Sequence, residues 1–221
     1  MDRLPEAPDE RRPPSLRRGI ALYPTRSATP RTFTAGRVVR RLADSLGLRR
    51  SPPRGLDVGG GTGSWSIAVA RKYPHVEATV LELPAVADIA REHVAAAGLA
   101  SRIDVVAGDA MAGALPPGYD VFLLANLIHY WSPEGNRALL QRVRSAAEAN
   151  SRLLLADFWT NPTHTEPLHA ALMAGEFAVH VRDGDVYSVD EVRRWLSETG
   201  WRFVEHAPLV GPQSLIVAEA A

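Results

Sequence analysis

Gly55-Leu56-Asp57-Val58-Gly59-Gly60-Gly61-Thr62-Gly63-Ser64-Trp65 carries a short apolar run into four glycines within five positions, and an Ala/Val-rich segment from Ile67 to Ala70 follows at once. That order reads as strand, tight turn, helix. Glycine alone tolerates the positive φ angles and the close ligand approach that such a turn needs, and the helix behind it aims unpaired backbone N–H groups at whatever binds. The turn has the makings of a ligand cradle.

Spacing narrows the ligand. A dinucleotide fingerprint is Gly-x-Gly-x-x-Gly. Counted from Gly59 and Gly61, its third glycine falls on Ser64, which argues against a nicotinamide dehydrogenase. The spacing present is Gly59-x-Gly61-x-Gly63 directly after Asp57, and it resembles motif I of the class I S-adenosylmethionine-dependent methyltransferases. A ligand with a cationic amine and a sulfonium and no phosphate has a use for the Asp57 carboxylate, whereas a pyrophosphate would be repelled by it. A glycine-rich turn without a ligand is the plain alternative.

At 221 residues the chain is long enough for one good-sized α/β domain. Twenty-five basic residues balance twenty-five acids, so no global field points to nucleic acid or to an acidic membrane. The balance hides an asymmetry, because residues 1–50 hold twelve arginines against five acids. Cysteine is absent, which excludes disulfides and thiolate metal sites. No apolar run approaches membrane-spanning length. The arginine pairs at 11–12 and 17–18 suggest an export signal, but Ile20 to Tyr23 is too short for its hydrophobic segment. A cytoplasmic location is the resulting expectation.

Residues 1–31 are rich in Pro and Arg and read as a mobile arm. Residues 32–54 read as a leading helix, with Val38, Val39, Leu42 and Leu46 at helical spacing, and a linker broken by Pro52 and Pro53. Residues 55–221 are the expected ligand-binding domain. Its first strand is Leu56 to Val58 and its first helix Gly63 to Tyr73. A second strand, Val76 to Leu81, is followed by Glu82, nineteen positions beyond Gly63. In nucleotide-type sheets a carboxylate in that place lies beside the first strand and accepts the ribose hydroxyls. Pro84 to Ala97 is helical, with Pro in its first turn and Gly98 at its end. A third strand, Ile103 to Val106, leads to Asp109, where an acid can accept the exocyclic amine of an adenine.

Asp120 to Asn126 is nearly continuous in its apolar character, as a buried parallel strand should be. His129 lies on the loop beyond it, at the sheet edge where open α/β folds bind ligands. Ser132, Pro133 and Glu134 start a helix running to about Ala149. Ser151 to Asp157 is another apolar strand. Phe158 to Asp185 interrupts the alternation with a helix around Leu168 to Val179, a lid or acceptor wall. The capping box Ser188-Val189-Asp190-Glu191 opens a further helix that Gly200 closes. Trp201 to Ala207 and Ser214 to Ala218, joined by Val210-Gly211-Pro212, read as a terminal hairpin.

From about Leu56 to Glu219 the chain resembles the catalytic domain of the plant-type small-molecule O-methyltransferases, whose bacterial relatives tailor polyketides and other natural products. The resemblance rests on Leu56 to Gly63, Leu81-Glu82-Leu83-Pro84, Gly108-Asp109, Asn126-Leu127-Ile128-His129-Tyr130-Trp131 and Gly200-Trp201. It implies a Rossmann-like class I methyltransferase fold, a mostly parallel seven-stranded sheet with helices on both faces and an antiparallel C-terminal hairpin. It implies S-adenosyl-L-methionine as cofactor, with Gly59 and Gly61 at its methionine part, Glu82 and Leu83 at the ribose, Asp109 and Ala110 flanking the adenine and Trp131 near it. His129 matches the general base and Asp157 the acid that orients it. A phenol or alcohol becomes a good nucleophile only when its proton is removed, and a neutral imidazole does this at neutral pH. No metal is required, and no ligand-spaced acid or histidine cluster suggests one.

The chain departs from that family in three places. The all-helical N-terminal domain that closes the pocket and forms an intertwined dimer does not fit in the fifty or so residues ahead of the first strand. A homodimer or a partner protein would then complete the acceptor side. A glutamate that helps fix the base aligns with Val186, and a basic cofactor contact aligns with Ala125. The leading expectation is an O-methyltransferase acting on a hydroxyl, phenolic, of a small-molecule natural product. The alternative is a cofactor-binding homologue that no longer transfers methyl, serving as a partner subunit or catalysing another tailoring step.

Overall fold

In a computed structural model describing residues 54–209 and 211–221, the central element is strand β1 (Arg54–Val58), which pairs in parallel with β2 (Glu77–Glu82) on one side and β4 (Val121–Ala125) on the other. Beyond them lie β3 (Ile103–Ala107), β5 (Arg152–Asp157), β6 (Trp201–Pro208) and β7 (Ser214–Ala220). Together they form one seven-stranded sheet in the order β3-β2-β1-β4-β5-β7-β6. Strand β7 runs antiparallel between β5 and β6, so the terminal hairpin is inserted into the sheet edge. The expected arm over 1–31, the leading helix, and Val210 of the hairpin turn lie outside the described residues.

Apolar side chains alternate between two layers. Leu56 and Val58 of β1, Phe122 and Leu124 of β4, and Leu153 and Leu155 of β5 face α3 (Pro133–Ala146) and α5 (Val189–Glu198). The alternate residues Val121, Leu123, Leu154 and Ala156 face Trp65 of α1 (Ser64–Lys72). Ala70 of α1 joins Ala87, Ala90 and Val94 of α2 (Pro84–Ala96) over β2 and β3. Both faces of β4 and β5 are therefore dry, which is why these strands read as unbroken apolar runs instead of alternating ones. Burying a side chain such as Leu154 or Phe122 stabilises by about 1.5–3 kcal/mol.

Local signals set the helix ends. Ser132 accepts the Gly135 amide and Pro133 takes the first helical position of α3. At α5 the capping box is complete, with Ser188 accepting from Glu191 N and Glu191 Oε2 accepting from Ser188 N. α3 stops at Ala146, before the expected Ala149, and Gly98 lies one residue past the α2 cap, Ala97. α4 (Leu168–His180) fills the interruption between β5 and α5. Among the described residues no helix is long and apolar enough to cross a membrane.

Connections from β1 turn toward β2 in one direction, whereas β4 and β5 lie on the other side of β1. The chain therefore reverses between β1 and β4, and the loops at their carboxyl ends splay apart there. A crevice at this switch point is the standard ligand position of open α/β sheets.

Candidate active site

The glycine turn occupies that switch point. Gly59 and Gly61 both have positive φ, 64° and 58°. A Cβ on Gly59 would stand 2.7 Å from Leu127 Cδ1, so this glycine also allows the His129 loop to close against the turn. A Cβ on Gly61 would meet nothing within 4 Å. Gly61 thus faces open space on the crevice side, as a cradle requires.

Glu82 ends β2 beside the turn. Its Oε2 accepts the Gly61 amide at 2.8 Å and its Oε1 accepts the Leu83 amide at 2.7 Å. Each carboxylate oxygen has a second lone pair, so hydroxyl donors can still be accepted. Burial pushes the Glu82 carboxyl up, the two amides oppose the rise, and the charge of Asp109 adds to it. Asp109 follows β3, its Oδ1 accepting the Met111 amide at 2.8 Å, and Ala110 packs against the main core. Glu82, Leu83, Asp109 and Ala110 thus meet along the same sheet edge. Two carboxylates in the crevice suit a cationic or hydroxyl-rich ligand and repel a diphosphate.

Asp57 is placed differently from the other acids. It is 2 % exposed and lies beneath the turn, where its Oδ2 accepts the Ser66 hydroxyl at 2.8 Å and its Oδ1 has no partner. Burial pushes this carboxyl up to about 6, with the Ser66 hydroxyl opposing and Glu82 adding to the rise. An unpaired buried oxygen is costly and needs a donor or a positive charge nearby.

His129 sits across the crevice in a 3₁₀ turn, Ile128–Tyr130, rather than in an open loop. It is 5 % exposed, and its Nδ1 lies 2.8 Å from Asp157 Oδ1 at the end of β5. Asp157 is itself 1 % exposed and also accepts the Phe158 amide. A carboxylate at Nδ1 selects the tautomer with its proton on that nitrogen, which leaves Nε2 as the acceptor. Nε2 has no hydrogen-bond partner among the described residues. Trp131 closes the turn, and its carbonyl accepts the Tyr187 hydroxyl at 2.5 Å.

Three neighbours of His129 escape a reading of the sequence. Phe177 of α4 stacks on the imidazole with ring centroids 3.9 Å apart and planes 5° from parallel. Asn136, fully buried in α3, donates from Nδ2 to the carbonyls of Ile128 and Trp131, each at 3.0 Å, and so staples the turn at both ends. Gly184 backs onto the His129 carbonyl, where any side chain would collide. Asn136 had a faint signal, since asparagine is a poor former within a helix. Val186, where the family glutamate was expected, is buried in one small cluster with Ala170 and Phe177. Among the described residues no group of three or more His, Asp or Glu side chains is arranged to hold a metal.

A glycine cradle with a strand-end acid and a buried His–Asp pair thus come together at the carboxyl edge of the sheet, where open α/β folds bind their ligands. The chain belongs to the family described as the O-methyltransferase domain, which it matches over residues 40–202. The 3-hydroxy-5-methyl-1-naphthoate 3-O-methyltransferase of Streptomyces sahachiroi is 32% identical over 201 residues, covering 91% of this chain and 54% of that protein. Aclacinomycin 10-hydroxylase RdmB of Streptomyces purpurascens is 41% identical over 102 residues, 46% of this chain and 27% of that protein. The solved structure of PigF with SAH is 30% identical with a TM-score of 0.73, over 82% of this chain and 53% of that one. The chain spans about half the length of the curated relatives it matches.

Proposed function

We propose that this chain is the cofactor-binding and methyl-transferring part of an S-adenosylmethionine-dependent O-methyltransferase acting on a phenolic hydroxyl of a small-molecule natural product. The observation that carries the reading is the buried His129–Asp157 pair, Nδ1 to Oδ1 at 2.8 Å, on a turn whose Leu127 lies against Gly59 of the glycine cradle. Family membership and the naphthoate O-methyltransferase relative support the substrate class. The SAH of PigF supports the cofactor.

When bound, S-adenosylmethionine supplies an electrophilic methyl group on a sulfonium sulfur. Gly59 and Gly61 would lie against its methionine part, Glu82 and the Leu83 backbone at the ribose, Asp109 and Ala110 at the adenine, with Trp131 nearby. Asp57 meets a cationic amine better than a neutral group, because its buried Oδ1 lacks a donor. His129 Nε2 would take the proton of the acceptor hydroxyl and so make its oxygen nucleophilic toward the methyl group that the cofactor would supply. Asp157 holds the Nδ1 proton and stabilises the imidazolium that results.

His129→Ala tests this with 3-hydroxy-5-methyl-1-naphthoate as acceptor and S-adenosylhomocysteine formation as readout. Turnover should fall by about 10²- to 10⁴-fold while calorimetric binding of S-adenosylhomocysteine is unchanged. Retained turnover would overturn the base assignment. A second reading, a homologue that binds the cofactor without transferring methyl, draws on Val186 in place of a carboxylate and on the hydroxylase among the relatives. It predicts calorimetric binding with no S-adenosylhomocysteine formed from any phenolic acceptor.

A further inference from the structure

We infer that Phe177 is a positioning residue that holds the His129 imidazole in its reactive plane, a role that the family resemblance gives to a second carboxylate at the position of Val186. The inference rests on the base role proposed for His129.

One hydrogen bond at Nδ1 fixes a vertex of the ring but lets the ring rock about the line from Nδ1 to Asp157 Oδ1. Rocking swings Nε2 out of line with an incoming hydroxyl. A second constraint is needed, and an acid at position 186 would supply it electrostatically. That position instead carries Val186, which is 1 % exposed and packed with Phe177 and Ala170, while the neighbouring Asp185 turns its Oδ1 to the Val186 amide. Phe177 lies flat on the imidazole, 3.9 Å between centroids and 5° between planes. A parallel face at van der Waals distance opposes rocking directly. Tyr130 tilts beside the imidazole at 4.6 Å and 38°. Phe158 stands against Phe177 at 6.2 Å and 56°, bracing the clamp from the β5 side.

The clamp has a chemical consequence that a carboxylate would not share. A phenyl face also offers its ring quadrupole to the imidazolium that His129 becomes on accepting a proton. It does so without placing a second negative charge in an apolar cluster, where an ionised acid would be costly.

Phe177→Leu keeps apolar volume and loses the plane, whereas Phe177→Tyr keeps the plane. The ring protons of His129, assigned by their disappearance in His129→Gln, report the stack by NMR whether or not the chain turns over. In Phe177→Leu the ring-current displacement of those protons should shrink to what Tyr130 alone gives, and in Phe177→Tyr it should persist. Turnover of 3-hydroxy-5-methyl-1-naphthoate should fall by about 10- to 100-fold in kcat for Phe177→Leu, the size of effect expected from a misplaced reacting group. KM should be little changed and Phe177→Tyr should recover most of the loss. Unchanged His129 resonances in Phe177→Leu overturn the inference, as does an unchanged kcat. Shrinkage of the ring-current displacement in a protein whose wild type forms no S-adenosylhomocysteine leaves the clamp standing and removes the methyl-transfer reading instead.

Discussion

The carboxylate of Glu82 bridges two strand ends, its Oε2 on the Gly61 amide at 2.8 Å and its Oε1 on the Leu83 amide at 2.7 Å. One side chain therefore holds the glycine turn against the start of α2 and presents its remaining lone pairs to the crevice. Glu82→Ala removes both services. Affinity for S-adenosylhomocysteine should drop by about 10- to 100-fold, the worth of hydrogen bonds to a charged group. Isothermal calorimetry checks it, and unchanged affinity would remove Glu82 from the ligand set.

Gly59 and Gly61 share a left-handed backbone but differ in surroundings. Gly61→Ala carries only the conformational cost, about 1–2 kcal/mol. Its methyl enters the open crevice, so ligand binding should weaken more than stability does. Gly59→Ala adds a collision with Leu127 and should cost about 2–4 kcal/mol in total. Denaturant midpoints should rank the two in that order.

Asp57 links stability to pH. An unfolded Asp titrates near about 3.9, while burial raises the folded group to about 6. Between those values the folded chain keeps a proton that the unfolded chain has lost. The Asp57 contribution is therefore greatest below about pH 4 and is lost as pH rises through about 6, a change of about 3 kcal/mol for a shift of this size. Asp57→Asn does not titrate. Its stability relative to wild type should improve over that window and level off above it, as urea melts across the range would reveal.

Asn136 connects α3 to the turn that carries His129. Asn136→Ala leaves the Ile128 carbonyl without its buried donor and the Trp131 carbonyl with the Tyr187 hydroxyl alone, and should destabilise by about 1–3 kcal/mol. Asn136→Asp, which has no donor when ionised, should be worse. If the staple positions His129, kcat falls in Asn136→Ala at temperatures where the variant remains folded, while S-adenosylhomocysteine affinity is kept. Equal losses of kcat and affinity would mean general unfolding instead.

Much of the sheet was legible because β4 and β5 are buried on both faces, so Val121 to Ala125 and Arg152 to Asp157 carry apolar runs that no exposed segment would keep. The cradle was legible for a different reason. Positive φ at Gly59 and Gly61 is a local demand on the backbone, and it leaves its mark as glycine whatever the rest of the chain does. Asp57 shows the limit of such local signals. Its position beside the turn was evident, but its burial under the turn, with one oxygen bonded to Ser66 and the other unpaired, depends on α1 folding back over the sheet.

By itself, then, the sequence determined what was local or periodic: the strand and helix pattern, the glycine turn, the strand-end acids and a histidine beyond β4. Tertiary structure decided what packs around that histidine beyond the Asp157 that the family resemblance pairs with it. His129 and Asp157 are 28 positions apart, and Phe177 and Asn136 reach His129's turn from two different helices. No spacing rule encodes contacts between residues that meet only because β4 and β5 lie side by side while α3 and α4 pack around the turn at their ends.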